Sequence, residues 1–232
     1  MKYPVKISKF YLFKLSLPVF FSNLAIPLVG LVDTALMGHL GSVNFLAATA
    51  IATSVITMIF WSFGFLRMGT TGMVAQSLGK GDYREIALGF LRNLCVAAII
   101  SLIIMLSKNQ ILLLIEEYFN TSPEIHSLIK KYISIRLLSA PAELTIYVLV
   151  GFYLGLQKTV ISSFIITFFC VSNIIASSYF VLILDMNIYG VALGTVLAAY
   201  ITVFIFIIQT YFFIKKEFNI LKRYKKIFIP KK

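Results

Sequence analysis

The sequence contains few charged residues. Asp, Glu, Lys and Arg make up 13% of its 232 residues, and only 9 residues are acidic. The mean hydropathy is +0.93. A water-soluble domain of this length needs many more charges to cover its surface, so this class of protein is excluded. The scarcity of charge predicts an integral membrane protein.

Cysteine and histidine are equally scarce, with two residues of each. Cys95 and Cys170 both lie inside apolar runs, which excludes a disulfide framework and predicts two free, buried thiols. His39 and His126 fall in gaps between apolar runs, without the spacing of a metal site and apart from any exposed nucleophile. We therefore expect no enzymatic activity and no metal or organic cofactor.

Six long apolar runs are present, each long enough to cross a bilayer, which takes about 20 residues. Each must be a helix, because an isolated strand would leave backbone groups unpaired in lipid. The sequence thus predicts an all-α, polytopic membrane protein, with the second run continuing as an amphipathic segment to residue 78. The short apolar segment 110–115 predicts an interfacial turn or helix. The predicted spans are 15–37, 44–66, 86–107, 132–157, 160–184 and 188–214.

Basic residues are concentrated on one side of these spans. Four lysines lie in residues 1–14 and eight basic residues in 215–232, whereas the gaps after the first and fifth spans contain neither Lys nor Arg. The positive-inside rule then places both termini in the cytoplasm. The net charge of +12 is therefore a topology signal and does not indicate nucleic-acid binding.

Three arginines fall at the edges of predicted spans. Arg67 and Arg92 lie near the cytoplasmic ends of the second and third spans, and Arg136 lies near the outer end of the fourth. Long cationic side chains in such places reach the interface, so we expect a structural role for each.

Asp33 differs, because its short side chain reaches the interface poorly. It lies about 6 Å inside the outer end of the first span. Pro27 precedes it and cannot donate to the carbonyl of Asn23, which favours a bend in the helix. A carboxylate beside a bend suggests a cation or proton site. The alternative, a pair with one polar neighbour and no other role, is equally compatible with the sequence.

Glu143 is the second carboxyl group within a span. It lies seven residues from Arg136 on the same helix face, about 10 Å away along the axis, which predicts no direct pair. It is either a second protonatable site or, the favoured interpretation, a neutral carboxyl group buried between helices.

Further polar residues fall at the depth of Asp33. Asn173 and Ser177 share one face of the fifth helix, and Thr195 lies in the outer half of the sixth. Together these residues predict a polar pocket in the outer half of the bundle. Small residues at four-residue spacing predict close helix packing; they are Gly151, Gly155, Gly190 and Gly194.

Four segments resemble the multidrug and toxic compound extrusion (MATE) transporters, and in particular their DinF-like, DNA-damage-inducible branch. The resemblance covers residues 15–213. The segments are Pro27-Leu-Val-Gly-Leu-Val-Asp-Thr, Phe60-Trp-Ser-Phe-Gly-Phe-Leu-Arg-Met-Gly-Thr-Thr-Gly with Ala75-Gln, Arg136-Leu-Leu-Ser-Ala-Pro-Ala and Gly151-Phe-Tyr-Leu-Gly-Leu-Gln-Lys-Thr.

The resemblance implies a transporter of twelve helices in two lobes that expels organic cations and other drug-like molecules in exchange for H⁺ or Na⁺. It also implies a coupling site in the first lobe, with Asp33 from helix one, Asn173 from helix five and Thr195 from helix six. The second family aspartate falls on Ser177, which cannot carry a charge. A Na⁺ site at Asp33 should then be weak, and proton coupling is favoured. Glu143 and Gln76 are candidate accessory polar groups.

The chain corresponds to one lobe only. We expect a cytoplasmic segment at 1–14, a six-helix lobe at 15–214 and a basic cytoplasmic tail at 215–232, in the inner (plasma) membrane of a bacterium. The resemblance favours multidrug efflux, with a separately encoded second lobe or a self-dimer completing the transporter in the lipid bilayer. The alternative is a non-transporting subunit or the remnant of a split or truncated gene.

Overall fold

The computed structural model describes residues 9–119 and 121–228, and the side-chain environments of residues 13–119 and 121–216. The described part is helical throughout and contains no strand, which confirms the all-α prediction. Positions 1–8 and 229–232 of the predicted terminal segments lie outside the described residues. The helices are α1 (Lys9–His39), α2 (Val43–Ser62), α3 (Phe65–Gly79), α4 (Tyr83–Leu106), α5 (Lys108–Tyr118), α6 (Pro123–Arg136), α7 (Ala140–Gly155), α8 (Thr159–Leu182) and α9 (Asn187–Phe228).

Six segments of the described chain are long and apolar enough to cross a membrane, as predicted. Two of them are longer than the sequence suggested, because each joins two helices. Helix α9 also continues past the predicted end of the sixth span, without a break, to Phe228. The segments are Phe13–His39, Val43–Gly79, Tyr83–Leu106, Pro123–Gly155, Thr159–Leu182 and Asn187–Lys216.

The second span is interrupted by a short turn at Phe63 and Gly64. The two residues donate their backbone N–H groups to Phe60 and Trp61, which ends α2, and α3 begins at the next residue. The predicted amphipathic continuation is thus confirmed as a helix. Arg67 lies in its first turn, where its backbone packs beside Gly151 of α7, and its predicted place near the cytoplasmic end stays a prediction.

The fourth span begins at Pro123, nine residues earlier than predicted. The Ser122 hydroxyl accepts a hydrogen bond from the Ile125 N–H (3.4 Å), and proline at the first helical position needs no N–H partner. A 3-10 turn, Leu137–Ser139, then joins α6 to α7. Arg136 therefore lies thirteen residues inside this helical segment, and only 9% of it is exposed, so it does not reach the interface as expected.

Helix α7 lies at the centre of the bundle and packs against α3, α4, α8 and α9. Two thirds (67%) of the most apolar window in its span is buried, compared with 6% for the span of α1. The outer helices turn apolar side chains outward, as expected for surfaces in contact with lipid. Cys95 lies on such a surface of α4, so it is exposed and only Cys170 is a buried thiol; both are free.

Glycines allow the central helices to approach closely, as predicted. A Cβ atom at Gly151 would lie 2.5 Å from the Arg67 carbonyl oxygen on α3. A Cβ atom at Gly194 on α9 would lie 2.5 Å from Ser177 Oγ and 2.6 Å from its backbone nitrogen on α8. Both are closer than side-chain carbons come to such atoms, so these positions require glycine.

Substituting Gly194 tests this packing. We expect Gly194→Ala to lower the free energy of unfolding by about 1–3 kcal/mol, because the added methyl group forces α8 and α9 apart. Gly89→Ala on α4 is the matched control, since a Cβ there meets nothing within 4 Å. It should leave stability unchanged or raise it slightly. Unfolding in mixed micelles, followed against denaturing detergent, measures both; equal midpoints would contradict the close approach.

Candidate functional site

A cavity of about 290 Å³ lies within the bundle and is called the Asp33 cavity below. Every helix except α4 and α5 contributes to its wall. The volume is near the lower limit for small-molecule sites and exceeds that of a single water molecule several-fold. Its polar lining residues are Asp33, Thr53, Thr57, Arg67, Tyr132, Arg136, Glu143, Tyr147, Asn173 and Thr195.

Asp33 enters the cavity from α1. Its Oδ1 atom is buried and has no hydrogen-bond partner among the described residues. The next residue, Thr34, does not donate to this oxygen, because its hydroxyl donates to the carbonyl oxygen of Gly30 (2.8 Å). A buried polar atom without a partner costs free energy, so a group that binds this oxygen would be stabilised there.

Three of the predicted site residues form one hydrogen-bonded chain. The Asn173 side-chain amide donates to Thr195 Oγ1 (2.9 Å), and Ser177 Oγ donates to Asn173 Oδ1 (3.2 Å). Thr195 donates in turn to the Val191 carbonyl oxygen (3.1 Å). Asn173 and Thr195 line the Asp33 cavity, whereas Ser177 lies behind them against Gly194 and does not reach it.

Arg136 and Glu143 form a direct ion pair, so the prediction that they lie too far apart is wrong. Nη1 and Oε1 are 2.6 Å apart, and only 11% and 13% of the two side chains is exposed. The long arginine side chain spans the axial distance. Ser139 supports the pair from the 3-10 turn, because its hydroxyl lies 2.6 Å from both atoms. Glu143 is therefore paired with a cation and is not the neutral, isolated carboxyl group that we favoured.

The structure separates the two candidate accessory groups. Glu143 lines the Asp33 cavity, whereas Gln76 lies on an exposed side of α3 and is not among the lining residues. Arg67 and Arg136, expected at the membrane interface, line the cavity instead. The helix start at Ser-Pro-Glu, residues 122–124, is the sequence signal that was missed. It extends the fourth helical segment, so that Arg136 lies inside the segment and not at its edge.

The cavity wall contains equal numbers of acidic and basic side chains, but only one acidic and one basic side chain form an ion pair. Its wall holds two carboxyl groups and two guanidinium groups. Since Arg136 pairs with Glu143, Asp33 and Arg67 remain without an ion-pair partner among the described side chains. Arg136 also acts electrostatically on Asp33. This arrangement is suited to a proton or a single cation at Asp33, with neutral oxygen atoms from Asn173 and Thr195 nearby.

Comparison with known proteins identifies relatives of this chain. A family model described as MatE matches residues 18–180. DNA damage-inducible protein F of Escherichia coli K12 is 36% identical over 194 residues, which is 84% of this chain and 42% of the relative. Multidrug resistance protein MdtK of Cronobacter sakazakii is 30% identical over 149 residues, 64% of this chain and 32% of that protein. The chain thus spans less than half the length of these relatives.

Solved structures share the fold. A multidrug resistance MATE family transporter of the MOP superfamily, in an outward-facing conformation, superposes with a TM-score of 0.77 at 21% identity, covering 83% of this chain and 42% of that one. A MOP superfamily transporter from Pyrococcus furiosus, described as having a binding pocket of reverse polarity, gives a TM-score of 0.76 at 21% identity over the same shares.

The ion pair in the cavity wall can be tested by removing one partner at a time. Arg136→Gln should lower the free energy of unfolding by about 3–5 kcal/mol, because it leaves the Glu143 carboxylate buried without a cation. The double variant Arg136→Gln/Glu143→Gln should recover much of this loss. Unfolding by denaturing detergent measures both variants.

Arg92→Gln is the matched control for that experiment. Arg92 also pairs with a glutamate seven residues away, Glu85, at 2.6 Å, but the two side chains are 62% and 42% exposed. Its loss should cost at most about 1 kcal/mol. Equal destabilisation by Arg92→Gln and Arg136→Gln would show that burial of the Arg136–Glu143 pair is unimportant.

Proposed function

Because this chain belongs to the MATE family, we propose that it forms the six-helix half of an efflux antiporter. It is a multi-pass membrane protein whose relatives include multidrug resistance transporters. The proposed substrates are drug-like molecules, organic cations among them, and the proposed driving force is a gradient of H⁺ or Na⁺. The proposal includes no catalytic step.

The observation that carries this proposal is the unpaired Asp33 oxygen in the cavity that Asn173 and Thr195 also line. A carboxylate in a low-dielectric cavity changes its charge most readily by taking up a proton or a cation. Asp33 is thus the proposed coupling residue. Asn173 and Thr195 are the proposed neutral ligands, held in place by their mutual hydrogen bond.

The proposed movement centres on α1. This helix has the least buried span of the described bundle, and it contributes Asp33 to the cavity. Neutralising Asp33 removes a charge that interacts with Arg136 on α6. The balance of forces on a lightly packed helix then changes, and with it the shape of the cavity. Movement of two lobes against each other would give alternating access.

A second lobe completes the proposed transporter, because the matched relative from Escherichia coli is about twice as long as this chain. We propose that residues 15–214 form the first lobe and that a separate chain or a second copy supplies the other. Both termini, with the segments 1–14 and 215–232, are proposed to lie in the cytoplasm, and the membrane to be the plasma membrane of a bacterium.

The proposed coupling ion is the proton. Ser177 replaces the second family aspartate and lies outside the cavity wall, so Asp33 is the carboxylate left for a cation there. Na⁺ prefers several oxygen ligands with negative charge among them, whereas one carboxyl group suffices for a proton.

Substituting Asp33 tests the function. In inverted membrane vesicles that also contain a second lobe, Asp33→Asn should reduce uptake of tetraphenylphosphonium at least about tenfold, because the amide can bind neither a proton nor Na⁺ tightly. Asp185→Asn is the matched control. Asp185 is exposed in the loop before α9 at φ 50°, a conformation that asparagine also adopts readily.

Two further results bear on the proposal. A rate of uptake that increases with an imposed pH gradient and does not change with a Na⁺ gradient would support proton coupling. Transport by Asp33→Asn at the wild-type rate, at equal expression, would refute the role of Asp33. No transport by the unaltered chain with any second lobe would favour a non-transporting subunit or gene remnant, the alternative that the replacement by Ser177 suggests.

A further inference from the structure

A second cavity of about 420 Å³ adjoins the Asp33 cavity and is called the Asn23 cavity. It lies between α1, α3, α7 and α8, and its volume is within the range of small-molecule sites. Arg67 lines both cavities, as do Val150 and Ile166. The other lining residues used below are Val19, Asn23, Thr71, Leu154 and Ser162.

The two cavities follow one another along the axis of the bundle. Asn23 lies ten residues before Asp33 on α1, which is about 15 Å of helix. On α8, Ser162 similarly precedes Asn173 by eleven residues. The Asn23 cavity therefore occupies the half of the bundle nearer the Gly79 end of α3, and Arg67 lies between the two chambers.

Arg67 is the cation of this region that has no partner. Among the described residues, Arg92 pairs with Glu85 and Arg136 pairs with Glu143, but Arg67 makes neither an ion pair nor a side-chain hydrogen bond. Its backbone lies beside Gly151 on α7, four residues or about 6 Å before that helix ends at Gly155. A charged side chain that lines a cavity in an apolar bundle without a counter-ion is a candidate binding group.

The surroundings of Arg67 in the Asn23 cavity complement a negative group. No acidic side chain is among the described residues that line this cavity. Asn23 adds a side-chain amide that can donate a hydrogen bond, and this amide makes no hydrogen bond to a described residue. Thr71 is engaged with the carbonyl oxygens of Arg67 (2.8 Å) and Gly151 (3.2 Å). The remaining wall is apolar.

We propose that the Asn23 cavity binds an anionic amphiphile through its carboxylate or sulfonate group. The anion pairs with the Arg67 guanidinium, whose planar N–H groups match such oxygens, and accepts a hydrogen bond from Asn23. The apolar part of the ligand lies against Val19 and Leu154. This site is distinct from Asp33 in position and in charge. A binding assay tests this site, so its failure can be distinguished from failure of the proposed transport function.

Two dansyl compounds of opposite charge provide the test. Dansylglycine carries a carboxylate and dansylcadaverine an ammonium group on the same fluorophore. Trp61, the one tryptophan of the chain, lines the adjoining Asp33 cavity, so energy transfer from Trp61 to dansyl reports occupancy. With the purified chain in phosphatidylcholine nanodiscs, dansylglycine should give saturable transfer that depends on Arg67, whereas any saturable transfer from dansylcadaverine should not depend on Arg67.

Variants of Arg67 separate charge from folding. Arg67→Gln should weaken dansylglycine binding at least about tenfold, since it removes a charge-assisted hydrogen bond. Arg67→Lys should retain part of the affinity through its charge. Arg92→Gln, which removes an arginine that pairs elsewhere, should bind as the wild type does. Dansylcadaverine binding that also requires Arg67, or undiminished dansylglycine binding by Arg67→Gln, would overturn the proposal.

Two glycines of α3 locate the site. A Cβ at Gly72 or Gly69 meets nothing within 4 Å, so a larger side chain is tolerated at both, but only Gly72 lines the Asn23 cavity. Gly72→Leu should therefore abolish saturable dansylglycine binding, and Gly69→Leu should preserve it. Retained binding by Gly72→Leu would refute this location.

Either an anionic lipid headgroup or a soluble amphiphile can supply the oxyanion that pairs with Arg67, and the same assay distinguishes them. If adding phosphatidylglycerol to the nanodiscs at constant ionic strength lowers the saturable dansylglycine signal by more than it lowers the linear background, a lipid headgroup competes at Arg67. Unchanged affinity identifies a soluble anion as the occupant. Both results require the Arg67-dependent site.

Discussion

Charged side chains in the hydrocarbon core of a bilayer have no water to solvate them, so they need a partner of opposite charge. The Arg136–Glu143 pair provides this at the most buried part of this bundle. The pair forms where α6 gives way to α7, and the 3-10 turn between them brings Ser139 against both charges. Neutralising two of the four charged groups within the cavity leaves Asp33 and Arg67 to act separately. The functional proposals therefore depend on this junction being formed.

The sequence predicted most of the architecture and part of the site. Six spans, the all-α class and the close approach at Gly194 follow from apolar run length and small-residue spacing, which are local signals. The contact of Asn173 with Thr195 was also anticipated, because helix position fixes depth. The pairing of Arg136 with Glu143 was missed, because the axial separation of the two residues does not include the length of the arginine side chain.

The place of Arg67 in the cavity walls was missed for a different reason. An arginine near the end of an apolar run resembles an interface anchor, and the sequence does not show that the first turn of α3 lines two cavities. Gln76 shows the converse error, since a motif match did not bring its side chain to the cavity. Motifs identify family membership, but which face of a helix turns inward is decided by packing against α7.

Helix α1 forms a wall of both cavities while little of its own span is buried. If the exposed side of α1 contacts lipid, small displacements of this one helix open either chamber toward hydrocarbon. An amphiphilic molecule could then enter from the leaflet in which it is already dissolved. Its concentration at the entrance would be set by its partition coefficient, and apolar bulk would govern access before any charged group is met.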